Sequence, residues 1–194
     1  MERSDVIAFF DSLAPTWDAA LIRSDRIIHT ILDRGGVSSG KRVLDVACGT
    51  GVLFPDYLAR NVASVVGVDI SPAMARIAAG KYDDPRIQVR CADVQELTFS
   101  ESFDCVMIYN AFPHFPDPAG LLYHLSGCLA PGGRLTVAHG MSRAKIDAHH
   151  HGSASKVSMG LMPEEQLAAL MGQWCRVDTV LSDEETYIVS GVLL

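Results

Sequence analysis

The chain has 194 residues, 48% of them hydrophobic and 20% charged, with a formal net charge of -7. That length suits one ordinary domain with a single core, and the acidic balance, with no run of Lys or Arg, offers no footprint for a nucleic-acid backbone or an anionic membrane. The amphipathic, acidic start "MERSDVIAFF" lacks the basic-then-apolar layout of a signal peptide, and the five scattered cysteines form no C-x-x-C pair, so reduced thiols and a cytoplasmic location are expected.

In chain order, "DVIAFFDSLAPTWDAA" opens at helical spacing with a break expected at Asp11 or Ser12, and a second helix is predicted roughly from Asp25 to Asp33. "KRVLDVA" reads as a buried strand running into the glycine turn "CGTG". Helix and strand then alternate: "VLFPDYLARN" helix, "ASVVGVDI" strand, "SPAMARIAAGK" helix with a Ser cap and Pro in its first turn, "IQVRCADV" strand, "FDCVMIYN" strand, "DPAGLLYHLSGCL" helix and "GGRLTVAHG" strand. Such alternation predicts an α/β fold with a parallel, doubly wound sheet. After the helix "PEEQLAALMGQ", "WCRVDTVLSD" and "EETYIVSGVLL" form a terminal antiparallel hairpin, giving seven strands in all.

Doubly wound sheets bind ligands at the carboxyl ends of their strands. In "VLDVACGTG", Gly49 and Gly51 let the backbone turn and approach a ligand, while Asp45 can accept hydrogen bonds from an ammonium group. Asp69 ends the second strand, where an acidic side chain can hold both hydroxyls of a ribose. Asp93 ends the third, placed to accept from an exocyclic adenine amine beside the Val94 N–H. Singly, each matches an ordinary turn or surface carboxylate; together they share one geometry. A dinucleotide turn needs a third glycine where this chain has Phe54, and Asp45 would repel a pyrophosphate. The ligand expected is therefore a nucleoside carrying an amino-acid tail.

These motifs resemble the class I S-adenosylmethionine-dependent methyltransferases. "VLDVACGTG" is similar to the family's first motif, "VVGVDIS" to its ribose motif, "CADV" to its adenine motif, and "FDCVMIYNAFPHF" to the strand and loop facing the transferred methyl. The resemblance covers Lys41 to Leu194, with "FFDSLAPTWD" similar to the N-terminal lid helices of small-molecule members. It implies a Rossmann-like fold, with S-adenosylmethionine as cofactor and S-adenosylhomocysteine as product. By position it implies that Asp45, Ala47, Gly49 and Gly51 hold the methionine end, Asp69 and Ile70 the ribose and adenine, and Asp93 and Val94 the adenine edge. Asn110 would lie near the methionine moiety, under a cover provided by Trp17. The single domain would divide into lid helices (1–40), cofactor core (41–140), substrate lid (141–162) and a closing helix with the hairpin (163–194).

"NAFP", Asn110 to Pro113, replaces the D-P-P-Y or N-P-P-Y tetrapeptide of DNA- and protein-amide-methylating members, which points to a small-molecule acceptor. The Arg-Asn-Asp-like arrangement of quinone-methylating members is not visible. A protonated acceptor, such as a phenol or carbon acid, needs a base, and histidine suits that task. His114, His139 and His150 are the catalytic candidates. If "SRAKIDAHHH" is a helix capped by Ser142, consecutive histidines project about 100 degrees apart, so one ion cannot take all of His149 to His151. A metal held by His139 and His150 is the lesser reading, because H-x-x-x-H and Cys-based spacings are absent. Two rival functions are a non-catalytic S-adenosylmethionine-binding sensor and a nicotinamide-dependent oxidoreductase.

Overall fold

The computed structural model describes residues 1–150 and 156–194, and the backbone alone for 148–150. Seven strands form one sheet: β1 (Arg42–Val46), β2 (Ser64–Asp69), β3 (Ile87–Cys91), β4 (Phe103–Tyr109), β5 (Leu129–His139), β6 (Cys175–Ser182) and β7 (Tyr187–Leu193). Their order is β3-β2-β1-β4-β5-β7-β6, parallel from β3 through β5 and antiparallel at both contacts of β7. The expected α/β fold and terminal hairpin are present, with the second hairpin strand inserted between β5 and the first. Burial shows why: the first five residues of β7 are buried in succession, as a strand covered on both faces requires, whereas β6 alternates and takes the edge.

Around the sheet lie α1 (Arg3–Leu13), α2 (Trp17–Ala20), α3 (Asp25–Arg34), α4 (Phe54–Ala59), α5 (Pro72–Lys81), α6 (Pro118–Ser126), α7 (Arg143–His150) and α8 (Glu164–Met171). The period-two alternation of the strands divides the core in two. One cluster gathers Leu44, Val106, Leu135, Val189, Leu121 and Leu167; the other gathers Val43, Met107, Ile188, Ile31, Phe54 and Tyr57. Ser71 caps α5 as expected, accepting the Met74 N–H at 3.1 Å, with Pro72 in the first turn.

The first helix departs from the expected boundary. α1 runs unbroken through Asp11 and Ser12 to Leu13. Asp11 remains helical because its carboxylate is used at long range, accepting the Ser71 hydroxyl at 2.5 Å and the Ala73 N–H at 3.0 Å. Asp18 next accepts the Thr50 hydroxyl at 2.6 Å and pairs with Lys81 at 2.6 Å. The N-terminal segment is thus fastened across the carboxyl ends of the strands.

Candidate active site

The chain leaves β1 through a tight loop in which Ala47, Gly49 and Gly51 have φ of 55°, 57° and 78°. Ala47 is one of three non-glycine residues with positive φ among the described residues, and Asn110, immediately after β4, is another at 54°. Left-handed backbone is costly for a residue with a Cβ. Two such residues therefore mark β1 and β4, the two strands that flank the switch point where the winding of the sheet reverses.

A cavity of about 300 Å³ opens there, a size in the range of small-molecule sites. Asp45, Ala47, Gly49, Asp69, Ile70, Asp93, Val94, Asn110, Trp17 and His114 all line it. Trp17 is half-buried, forms an edge contact with Phe10 at 6.0 Å and faces Gly49, so it walls the cavity rather than joining the core.

Asp69 ties two loops together, accepting the Gly49 N–H through Oδ2 and the Ser71 N–H through Oδ1, each at 2.8 Å. Each oxygen keeps a further lone pair. Burial raises its pKa and these two donors oppose the rise. Asp45 is 2% exposed, and its pKa is pushed up to about 8 by burial and then by the Asp69 charge. The Tyr57 hydroxyl beside it acts in the other direction without reaching full hydrogen-bond geometry. Asp93 accepts the Gln95 N–H at 3.0 Å and forms an ion pair with Arg3 at 2.6 Å; Arg3 also reaches Glu96 at 2.7 Å. Arg3 is the one Lys or Arg among the described residues lining the cavity.

The histidine candidates separate. His114 lines the cavity beside Phe10, with ring centroids 5.0 Å apart, and its Nδ1 lies 2.6 Å from the Val157 carbonyl. A carbonyl only accepts, so Nδ1 carries the proton and Nε2 is the basic nitrogen. His139 does not line the cavity. It is 3% exposed on the face of β5 shared by Leu135 and Val137, and its ring packs edge-on against Tyr187 at 5.9 Å. The alternation of β5 sends it into the core on that face, which corrects its expected place near the methyl. His150 lies outside the described side chains, and His151 outside the described residues. Among the described residues, no three His, Cys, Asp or Glu side chains gather as a metal site.

Gly51 also stays out of the lining. A Cβ there would lie 2.6 Å from the ring of Phe54, so this glycine makes room for a buried aromatic beneath the loop rather than for a ligand. Phe54, in turn, fills the space that a dinucleotide turn keeps clear with its third glycine. Sequence reasoning missed Arg3, Phe10 and Tyr109 as lining residues. Tyr109 had a signal, being the neighbour of Asn110 at a strand end; Arg3 had none, since nothing local predicts that α1 crosses to the loop after β3.

A doubly wound sheet with an acid-lined cavity at its switch point and an inserted antiparallel last strand defines the class I S-adenosylmethionine-dependent methyltransferase fold. Residues 44–137, just under half of the chain, match the family described as "Methyltransferase domain" (Methyltransf_11). It is 29% identical to a ubiquinone biosynthesis O-methyltransferase of Coxiella burnetii over 138 residues, 66% of this chain and 58% of that protein. It is 33% identical to a demethylmenaquinone methyltransferase of Renibacterium salmoninarum over 140 residues, 69% of this chain and 58% of that protein. The chain thus spans under two thirds of these relatives. The N-methyltransferase NodS of Bradyrhizobium japonicum, solved with S-adenosyl-l-homocysteine, shares the fold with a TM-score of 0.75 at 14% identity, over 97% of this chain and 98% of that one.

Proposed function

We propose that this protein transfers a methyl group from S-adenosylmethionine to a small-molecule nucleophile. The observation that carries this reading is the acidic lining of the cavity. Three acidic side chains, Asp45, Asp69 and Asp93, line it; Asp45, protonated in the ligand-free protein, ionises when a cation arrives beside it, and the one lining guanidinium is already paired with Asp93 and Glu96. Such a field favours a ligand bearing an ammonium and a sulfonium and opposes the pyrophosphate of a nicotinamide cofactor.

When bound, S-adenosylmethionine supplies an electrophilic methyl on a positively charged sulfur. Within this reading Asp45 accepts from the ammonium, and Ala47 and Gly49 bring the backbone close to the methionine end. Asp69 uses its remaining lone pairs for the ribose hydroxyls, while Ile70, Asp93 and Val94 flank the adenine. Asn110 faces the methionine moiety and Trp17 covers it. In-line displacement asks the protein chiefly to align the reactants and exclude water, and the N-terminal segment closing over the strand ends supports both tasks. His114, through Nε2, is the base for an acceptor protonated at neutral pH. Quinone precursors are among the acceptors to try first, because relatives of the chain include a ubiquinone biosynthesis O-methyltransferase and a demethylmenaquinone methyltransferase.

Calorimetry with S-adenosylhomocysteine and with NAD tests the cofactor assignment: binding of the first and none of the second is expected. Turnover of S-adenosylmethionine with phenols, thiols and amines then tests catalysis. Tight cofactor binding without transfer to any class would make the protein a sensor instead.

A further inference from the structure

Tyr109 is the last residue of β4, half-buried, and its side chain lines the cavity where the ends of β4 and β5 meet. Its neighbour Asn110 is held in left-handed backbone, with its N–H donated to the Ala138 carbonyl at 2.9 Å and its Oδ1 accepting the Gly140 N–H at 2.9 Å. Because that oxygen is engaged, the orientation of the amide is fixed and its NH₂ group is directed toward the Tyr109 hydroxyl, whose own proton is left to donate. Gly140 completes the arrangement. A Cβ at this position would sit 2.8 Å from the Tyr109 hydroxyl oxygen, and Gly140 is not among the residues with positive φ, so the space taken by that hydroxyl is what a larger side chain would contest. Burial raises the Tyr109 pKa, so the group is a neutral donor at physiological pH.

Resting on the cofactor reading above, we propose that the Tyr109 hydroxyl orients the acceptor by hydrogen-bonding an oxygen of that molecule, and that Gly140 keeps the hydroxyl in position. Tyr109 and the Asn110 amide are adjacent polar groups at the same strand end, with apolar walls from Val52, Leu53 and Leu21 in the same cavity. An otherwise apolar pocket with a few polar groups sets the orientation of its ligand. The substrate class this predicts is a compact apolar molecule with a hydroxyl, carbonyl or carboxylate next to the methylated atom.

The test uses the full chain saturated with S-adenosylhomocysteine, titrated with phenol and with toluene by ligand-observed NMR. Phenol is expected to bind more tightly than toluene. Tyr109→Phe should weaken phenol about fivefold, the size of one lost hydrogen bond, and leave toluene and S-adenosylhomocysteine unchanged. Gly140→Ala should reproduce that selective loss with the phenol ring of Tyr109 still present, which separates hydroxyl placement from a packing defect. Equal affinity for phenol and toluene, no phenol binding to the wild type, or an unchanged phenol affinity in Tyr109→Phe would each overturn the assignment of Tyr109. Failure of the wild type to bind S-adenosylhomocysteine would instead overturn the cofactor reading on which it rests.

Discussion

Asp45 and the histidines show how single residues divide between binding and packing. A pKa of about 8 means that Asp45 is largely protonated in the ligand-free protein at pH 7, and an ammonium ligand requires it ionised. Binding of S-adenosylhomocysteine should therefore release protons, seen as different apparent enthalpies in phosphate and Tris buffers at pH 7, and affinity should rise as pH climbs toward 8. The sign for stability is opposite. A carboxyl whose pKa is raised by folding contributes stability that is present below its unfolded value near 4 and lost as pH rises through about 8. Asp45→Asn is expected to raise the thermal midpoint of the ligand-free protein at pH 8 by a few degrees while abolishing cofactor binding; a lower midpoint at pH 8 would contradict the buried-acid account. For the histidines, His114→Gln should depress turnover of a phenolic acceptor and keep cofactor affinity. His139→Ala should instead cost about 2–3 kcal/mol of stability through lost packing against Tyr187, measured by urea unfolding.

Among the elements, α1 and α2 are the ones whose role depends on distant partners. Arg3 reaches Asp93 and Glu96, Asp11 reaches Ser71 and Ala73, and Asp18 reaches Thr50 and Lys81, so the segment is fastened to the loops after β3, β2 and β1 in turn. The hydrogen bonds to Ser71, Ala73 and Thr50 are part-buried, whereas the ion pairs of Arg3 and Lys81 are partly exposed, where such pairs are individually weak and screened by salt. Release of S-adenosylhomocysteine should accordingly quicken as salt rises, and Arg3→Ala should quicken it severalfold at low salt with a smaller effect at high salt. Stopped-flow fluorescence of Trp17, which lines the cavity, follows this directly. Release rates indifferent to both salt and Arg3 would show that the segment does not gate the site. The expected substrate lid, 141–162, is described at its ends: the Asp147 carboxylate accepts the Leu161 N–H at 3.1 Å, and the Met159 N–H reaches the Pro113 carbonyl at 2.9 Å.

At the scale of the whole molecule, both core clusters share one sheet, and the terminal strand β7 is locked between β5 and the edge strand β6, with the Thr136 and Ser190 hydroxyls 2.7 Å apart between β5 and β7. No part of the described chain has a core of its own. Unfolding is therefore expected as a single transition, coincident by far-ultraviolet dichroism and by fluorescence. S-adenosylhomocysteine at a hundred times its dissociation constant should raise the midpoint by roughly 5–10 °C, from about 2.7 kcal/mol of binding linkage and the usual sensitivity at this chain length.

The sequence by itself determined the α/β class, the order of its elements and the acidic residues that line the cavity. Strand-length apolar runs, a capped helix at Ser71 and Pro72, and acids placed at or near the ends of successive strands are local patterns, and the rule that ligands gather at carboxyl strand ends brings Asp45, Asp69, Asp93 and Asn110 together without further information. Only the tertiary structure decided which face each residue takes and which distant groups meet. It turned His139 into the core through the alternation of β5, put Phe54 rather than a ligand against Gly51, inserted β7 inside the hairpin partner, and carried Arg3 to Asp93. The physical reason is range. Propensity and periodicity act over a few residues, whereas an ion pair or a packed ring joins positions that are neighbours only after the sheet has assembled.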